Sequence, residues 1–387
     1  MTSRQGPPPR VMVVVGTRPE AIKMAPVLDA LRKSGRVDTQ LVFTGQHGTL
    51  VNDLREALDL VPDHDLAIMS EGQSLYDVAE GCLRGLAGVV QDYGPDMILV
   101  QGDTATVFFA SLVAFFERVP VGHVESGLRT GDKWSPFPEE IFRRLTDVIT
   151  DVHFAPTTQA KENLRREGVD VSQIHVTGNT VVDSLLRMSA LGGEPANETL
   201  GRILEDGGSR LILLTAHRRE SFSEPLLRIF RAVRRLIDEH EDVQLLYPVH
   251  PNPNVVEPAQ MVLGDHPRIH LVDPLAYQDM VMALKKAALI LTDSGGIQEE
   301  APTFGVPVLV LREVTERTEA LDAGAVMVGS NEDDIVTEGS RLLRQTETIE
   351  REIANPFGDG RAGERIADII VSQLTGTSRS MTDWSGP

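Results

Sequence analysis

The sequence predicts an α/β protein made of two doubly wound parallel-sheet domains, and three observations carry that expectation. Short apolar, β-branched runs alternate along the chain with amphipathic segments of helical length. The runs are apolar at successive positions rather than at every second one, so both faces of each strand must be covered, as in a parallel sheet with helices on either side. The alternation breaks once, at "SALGGEPANETLGRILEDGGS" (189–209), where Gly, Glu and Asn enter, and then resumes.

Taken in order, the first half offers strands at "VMVVV" (11–15), "QLVFT" (40–44), "DMILV" (96–100), "VGHVE" (121–125) and "VHFAP" (152–156). The second half offers "RLILLT" (210–215), "VQLLYPV" (243–249), "IHLVD" (269–273), "LILTD" (289–293) and "VPVLVL" (306–311). With 387 residues, 41% of them hydrophobic, the chain is long enough for two cores of ordinary size. Residues 1–10 read as a disordered tail, 11–188 as the first domain and 189–364 as the second. Two such domains side by side would bind a ligand in the cleft between them, at the carboxyl ends of the strands.

Composition excludes several classes. A net charge of −20 provides no general basic field for phosphate backbones, so nucleic acid is not expected as a partner. No apolar run reaches the roughly 18 residues of a membrane span, and "MTSRQGPPPR" is polar, without the apolar core of a signal peptide. The single cysteine, Cys82, allows neither an internal disulfide nor a cysteine zinc cluster, which points to the cytoplasm.

The motifs fall just after the strands. In "GTRPEAIKMAPVLDAL", Thr17 and Glu20 have capping-box spacing and Pro19 suits a first helical turn. A well-capped helix accounts for them, but not for Arg18 and Lys23. Cations at a helix N-terminus oppose the macrodipole, so two of them suggest an anion arriving from outside. In "LILTDSGGIQEEAPTFG", Ser294, Gly295 and Gly296 lead from strand to helix, where glycines let backbone N–H groups approach a phosphate. Neither a P-loop nor G-x-G-x-x-G is present, so neither an ATPase nor a nicotinamide enzyme is indicated. Glu299 and Glu300 suit the helix dipole, and a carboxylate one turn past a diphosphate is also placed to hold ribose hydroxyls. "TAHRRE" (215–220) and "YPVHPNP" (247–253) each end a strand with a histidine in a polar setting.

The stretch "HVESGLRTGDKWSPFPEE" (123–140) carries four acids, Glu125, Asp132, Glu139 and Glu140, on chain too rich in Gly, Pro and Ser for one element. Metal ligands, proton-transfer groups and solvated surface are the three readings. Neither H-E-x-x-H nor an EF-hand loop occurs, so a metal is disfavoured. Asp103 follows one predicted strand and Glu125 ends the next, and consecutive strands usually neighbour each other. Carboxylates converging in a closable cleft suit proton transfer. Glu140, and Asp132 in "TGDK", read as surface or capping residues.

"GTRPEAIKMAP", "QGDT", "HVESGLRTGD", "PFPEE", "HFAPT", "VTGNTVVD", "HRRESF", "YPVHPNP" and "TDSGGIQEEAP" occur in this order and spacing. Together they resemble the non-hydrolysing UDP-N-acetylglucosamine 2-epimerases, from about Val11 to about Arg365. The resemblance implies a GT-B fold of two Rossmann-like domains facing across a cleft, with 365–387 a C-terminal helix returning to the first. It implies a homodimer, a UDP-sugar substrate, and no cofactor or obligatory metal. It also implies interconversion of UDP-GlcNAc and UDP-ManNAc through C2 proton abstraction, elimination of UDP to a 2-acetamidoglucal, and re-addition.

By position, Asp103, Glu125 and Glu139 match the family's catalytic acids, and His217 a residue near the diphosphate required for turnover. Arg18 and Lys23 match ligand-binding positions, Ser294, Gly295 and Gly296 the diphosphate loop, Glu300 the ribose contact and Arg317 a nucleotide-site arginine. Leu275 and Met280 fall at substrate-binding positions. Three departures stand out: Phe142 where the family usually has Asn, Thr318 where it has Pro, and Met280 where some members place an aromatic ring near the uracil. A UDP-2,3-diacetamido sugar acid is therefore the alternative substrate, and a GT-B glycosyltransferase the alternative class. Many bacterial relatives bind a second UDP-GlcNAc through residues matching Gln46, His47 and His250. Here Gly48 and Thr49 replace larger polar side chains, so weakened or absent activation is expected.

Overall fold

A computed structural model describes residues 6–45, 58–68, 70, 72–218, 222–315, 317–345 and 355–386. The chain divides into two compact units, Met1–Ser184 with Phe357–Pro387, and Leu185–Pro356.

Among the described residues the first unit is built on seven strands: β1 (Arg10–Val15), β2 (Asp38–Phe43), β3 (His64–Asp65), β4 (Met97–Gln101), β5 (Val121–Val124), β6 (Val152–Ala155) and β7 (Ile174–Val176). They pair in parallel in the order β3-β2-β1-β4-β5-β6-β7. Val11, Met12 and Val13 are each 0% exposed, so successive residues of β1 are buried on opposite faces, as the unbroken apolar run requires. The helices that cover the sheet are α1 (Arg18–Ser34), α2 (Leu75–Tyr93), α3 (Ala105–Phe116), α4 (Glu139–Ile149), α5 (Thr158–Arg166) and α6 (Thr180–Leu191), the last running on into the second unit. Met12, Val14 and Val42 pack with Cys82, Leu86 and Val90 of α2 and Val107 and Ala110 of α3 into one of the unit's cores.

The second unit has, among the described residues, six strands, β8 (Arg210–Thr215), β9 (Val243–Pro248), β10 (Ile269–Val272), β11 (Ala287–Thr292), β12 (Val308–Val310) and β13 (Val326–Met327), parallel in the order β10-β9-β8-β11-β12-β13. Its helices are α7 (Glu198–Glu205), α8 (Glu224–Glu239), α9 (Pro253–Leu263), α10 (Tyr277–Lys286), α11 (Gly295–Glu300), α12 (Thr318–Asp322) and α13 (Glu332–Gln345). Phe230 of α8 and Tyr247 of β9 are both fully buried in its core. The strand order of each sheet reverses once, between β1 and β4 and between β8 and β11, which is where an open α/β sheet leaves a crevice at its carboxyl edge.

The chain re-enters the first unit through α14 (Ala362–Thr375). Its first N–H groups are capped from a distance: Asp183 of α6 accepts from Gly363 N at 2.8 Å and Ala362 N at 3.2 Å. Gly363 sits directly on α1, where an added Cβ would lie 2.7 Å from the carbonyl of Pro26, so only glycine permits that approach. No helix among the described residues is long and apolar enough to cross a membrane.

Candidate active site

In the first unit, the turns that follow β1, β4 and β5 converge. Thr17 caps α1 as its spacing predicts, but Glu20 does more than close a capping box. Its carboxyl, 2% exposed, accepts from Gly16 N at 2.6 Å and from the hydroxyls of Thr17 at 2.9 Å and Thr104 at 2.8 Å. Thr104 belongs to the turn after β4, so Glu20 ties the β1 and β4 turns together.

Lys23 lies one helical turn further along and is buried. The sequence suggested an external anion for it; an anion it does meet is internal, the carboxylate of Glu125. The same oxygen accepts from Gln101 Nε2 at 3.0 Å and Asn179 Nδ2 at 3.3 Å. Glu125 itself stands at φ +68°, a conformation that L side chains seldom adopt, and its N–H donates to Phe154 O at 3.1 Å. Arg18, half-buried, is the first residue of α1.

Asp103 follows β4, the strand paired in parallel with β5, so it and Glu125 leave neighbouring strand ends. Its carboxylate pairs with Arg143 of α4, and the same guanidinium reaches Glu140 Oε2 at 3.1 Å. Glu140 is the principal correction to the sequence reading. Rather than a surface or capping residue it is 0% exposed, and it accepts from the backbone N–H groups of Thr130 at 3.1 Å and Gly131 at 3.2 Å. Glu140 therefore folds the "RTGD" loop back onto α4 and positions Arg143. Glu139, its neighbour, is part-exposed at the first position of α4. Asp132 is a turn residue, accepting from Trp134 N at 2.9 Å. Phe142 stacks on Phe108 (5.4 Å, 10°) and meets Phe109 edge-on, so its ring fills apolar space between α4 and α3.

Burial pushes the Glu20 carboxyl up to about 7, against the hydrogen bonds from Gly16, Thr104 and Thr17. Burial likewise raises Asp183 to about 7. A carboxyl whose pKa is higher folded than unfolded keeps its proton longer in the folded state, so its contribution is complete below about 4.5 and is lost as the pH rises to about 7. In Glu20→Gln the fall in unfolding free energy between pH 4.5 and 7.5 should shrink by about 3 kcal/mol, the linkage equivalent of that shift. Thermal or denaturant unfolding at the two pH values checks it, and equal pH dependence in variant and parent would contradict it.

In the second unit, the turns after β8 and β11 meet at Asp293, which is fully buried. One of its oxygens accepts from the backbone N–H groups of His217 and Arg218, both at 2.8 Å. The other makes no hydrogen bond among the described residues and lies 3.6 Å from His217 Nδ1. The His217 ring is 42% exposed and stacks on His250 (5.5 Å, 6°), from the turn after β9. Burial, followed by the charge of His217, holds His250 below the ordinary histidine value.

Ser294, Gly295 and Gly296 open α11. Arg317 lies against Gly295 so closely that a Cβ there would stand 2.9 Å from the guanidinium carbon. Arg317 Nε donates to Glu299 Oε1 at 2.9 Å, and Glu299 is 1% exposed. The two adjacent acids thus differ: Glu299 is buried against an arginine, while Glu300 is half-buried on the side of Gly296. Gln298, also buried, is held by Thr315 Oγ1 at 2.7 Å, and Thr315 in turn accepts from Arg317 N at 3.1 Å. Leu275 is buried just before α10 and Met280 is half-buried within it. Thr318 opens α12. Gln46 and His47 lie outside the described residues. Among the described residues no group of His, Cys, Asp or Glu is arranged to hold a metal ion.

Two Rossmann-like units, one carrying cation-paired carboxylates at its strand ends and the other a Ser-Gly-Gly turn backed by a buried arginine, define an enzyme of the GT-B type. The sequence profile of the UDP-N-acetylglucosamine 2-epimerase family matches residues 29–371. The chain is 46% identical over 365 residues to the UDP-N-acetylglucosamine 2-epimerase of Bacillus subtilis, covering 94% of this chain and 95% of that one. It is 44% identical over 368 residues to the enzyme of the same name from Escherichia coli K12, covering 93% and 98%. The crystal structure of UDP-GlcNAc 2-epimerase from Neisseria meningitidis bound to UDP-GlcNAc superposes with a TM-score of 0.86 at 39% identity, covering 95% of this chain and all of that one. The chain belongs to the UDP-N-acetylglucosamine 2-epimerase family.

Proposed function

We infer that the protein interconverts UDP-N-acetylglucosamine and UDP-N-acetylmannosamine at C2 of the sugar. The observation that carries the reading is the pair of carboxylates, Asp103 and Glu125, held by Arg143 and Lys23 at adjacent strand ends. A carboxylate takes the proton from C2, the C1–O bond breaks with its electron pair leaving on UDP, and 2-acetamidoglucal results. Protonation of C2 from the opposite face and return of UDP to C1 give the epimer. Two faces need more than one proton-transfer group, and Asp103, Glu125 and Glu139 supply them.

The second unit receives the UDP portion in this reading. Ser294, Gly295 and Gly296 offer backbone donors to the diphosphate, with His217 beside it and Arg317 behind the loop. Glu300 takes the ribose hydroxyls, and Leu275 and Met280 lie against the base. Arg18 and Lys23 bring positive charge to the first unit's share of the ligand. Phe142 packs on Phe108 of α3, and a UDP-2,3-diacetamido sugar acid stays the alternative substrate.

Pure protein given UDP-GlcNAc without an acceptor should yield a mixture with UDP-ManNAc. Unchanged substrate would favour a glycosyltransferase, and accumulating UDP with free ManNAc would favour a hydrolysing enzyme. UDP-ManNAc offered alone should also turn over, because the small Gly48 and Thr49 weaken a second nucleotide-sugar site. A requirement for added UDP-GlcNAc would refute that part.

A further inference from the structure

A buried polar cluster beneath the first unit's carboxylates plays no part in the proton transfers described above. Asp147 of α4 is 4% exposed and is gripped from four places. His123 Nδ1 lies 2.7 Å from Oδ1, the Ser126 hydroxyl donates to Oδ1 at 2.6 Å, and Arg129 Nη2 and Gly127 N donate to Oδ2 at 2.7 and 3.3 Å. His123, 0% exposed, places its other ring nitrogen 2.8 Å from the carbonyl of Gly102. His153 Nδ1 stands 2.8 Å from the Ser126 oxygen, and since that hydroxyl donates to Asp147, His153 donates to it. Arg129 continues to Glu167, at 2.9 and 2.6 Å.

Each contact falls beside a carboxylate of the proposed reaction. Gly102 immediately precedes Asp103, and Ser126 immediately follows Glu125. Both turns carry a positive φ, +86° at Gly102, which glycine adopts freely, and +68° at Glu125. The second is sparsely populated for a residue with a side chain and is held by its surroundings. Those surroundings include the Asp147 cluster, together with the N–H bonds of Glu125 and Ser126 to Phe154 O.

Charge makes the cluster harder to explain as packing. One ring nitrogen of His123 faces the Asp147 carboxylate and the other the Gly102 carbonyl, so both of its polar atoms are committed inside the protein. A polar pair buried at 0% and 2% side-chain exposure is a weak contributor to stability, and apolar side chains of similar volume often serve a fold as well. What apolar residues would not supply is a directional link from the turn after β4 to the turn after β5.

We propose that His123 and Asp147 are positioning residues for the reaction, clamping the Gly102–Asp103 turn to the Glu125–Ser126 turn so that the two carboxylates keep a fixed relation across the sugar. This rests on the epimerase reading. Elimination needs one carboxylate at C2, whereas completing the epimerisation needs the second in register before the glycal departs. Loosening the clamp should therefore change the fate of the intermediate as well as the rate.

The test uses the full-length protein and three variants, Asp147→Asn, His123→Gln and Ser126→Ala, with UDP-GlcNAc as substrate. Per folded molecule, Asp147→Asn should lower kcat about 10²-fold with KM within about threefold, and should raise the share of free 2-acetamidoglucal and UDP among the products. His123→Gln, whose amide can still donate to Gly102 O, should lower kcat less than Asp147→Asn does. Ser126→Ala leaves the His123–Asp147 contact intact and should give a smaller effect of the same kind, about tenfold, and carries the test if Asp147→Asn does not fold. Unchanged kcat and glycal share per folded molecule in the folded variants would overturn the proposal. Absence of any epimerisation or glycal in the parent protein would instead overturn the epimerase reading on which it rests.

Discussion

Asp103→Asn should lower the exchange of the C2 hydrogen by about 10²-fold or more, the usual worth of a positioned proton-transfer group. The substitution keeps the side chain's size and removes its charge. Asp103 is 28% exposed at its side chain, open enough to meet a ligand, while Arg143 on its other side is nearly buried and anchored by Glu140. The guanidinium therefore stays in place when Asp103 loses its charge, and the loss falls on chemistry rather than folding. UDP affinity, which the proposed reading assigns mainly to the second unit, should hold within a few-fold. C2 exchange followed by NMR, normalised to folded protein, together with calorimetric UDP titration, checks both. Exchange at the parental rate would remove Asp103 from the reaction.

Arg317→Ala should destabilise the second unit by roughly 3–5 kcal/mol, because it strips an arginine from a carboxylate buried to 1% exposure. It should weaken UDP binding as well, since the guanidinium backs Gly295 at the start of α11. Adding Glu299→Gln should return much of the stability and none of the UDP affinity, for the buried charge that lost Arg317 is then gone while the loop's support is still missing. Denaturant unfolding and UDP titration of the single and double variants separate the two effects. A single variant as stable as the parent would mean that Glu299 does not depend on this arginine.

Much of the fold is legible in the sequence because a strand buried on both faces must be apolar at successive positions, and "VMVVV", "DMILV" and "RLILLT" are each strands. The strands that escape notice are β3, β7 and β13, two or three residues long. Such edges lack enough residues to form a pattern. At the site, the residues that bear chemistry sit in recognisable strings, whereas the residues that hold them do not. Glu140 looks identical to Glu139 in "PEE", and only its spacing of three to Arg143 on one helix hints that it is turned inward. Glu20 reads as a cap because its partner Thr104 is 84 residues away. Asp147 and His123 are invisible for the same reason, since local spacing carries no signal of a contact made through the sheet.

The most direct measurement is epimerisation in D2O. Incubated with UDP-GlcNAc, without acceptor or added metal, the protein should give UDP-GlcNAc and UDP-ManNAc that both carry deuterium at C2, with little free sugar, because the C2–H bond must break before either epimer can re-form. UDP-GlcNAc recovered with its C2 hydrogen intact, under conditions where the folded protein binds UDP, would contradict the account.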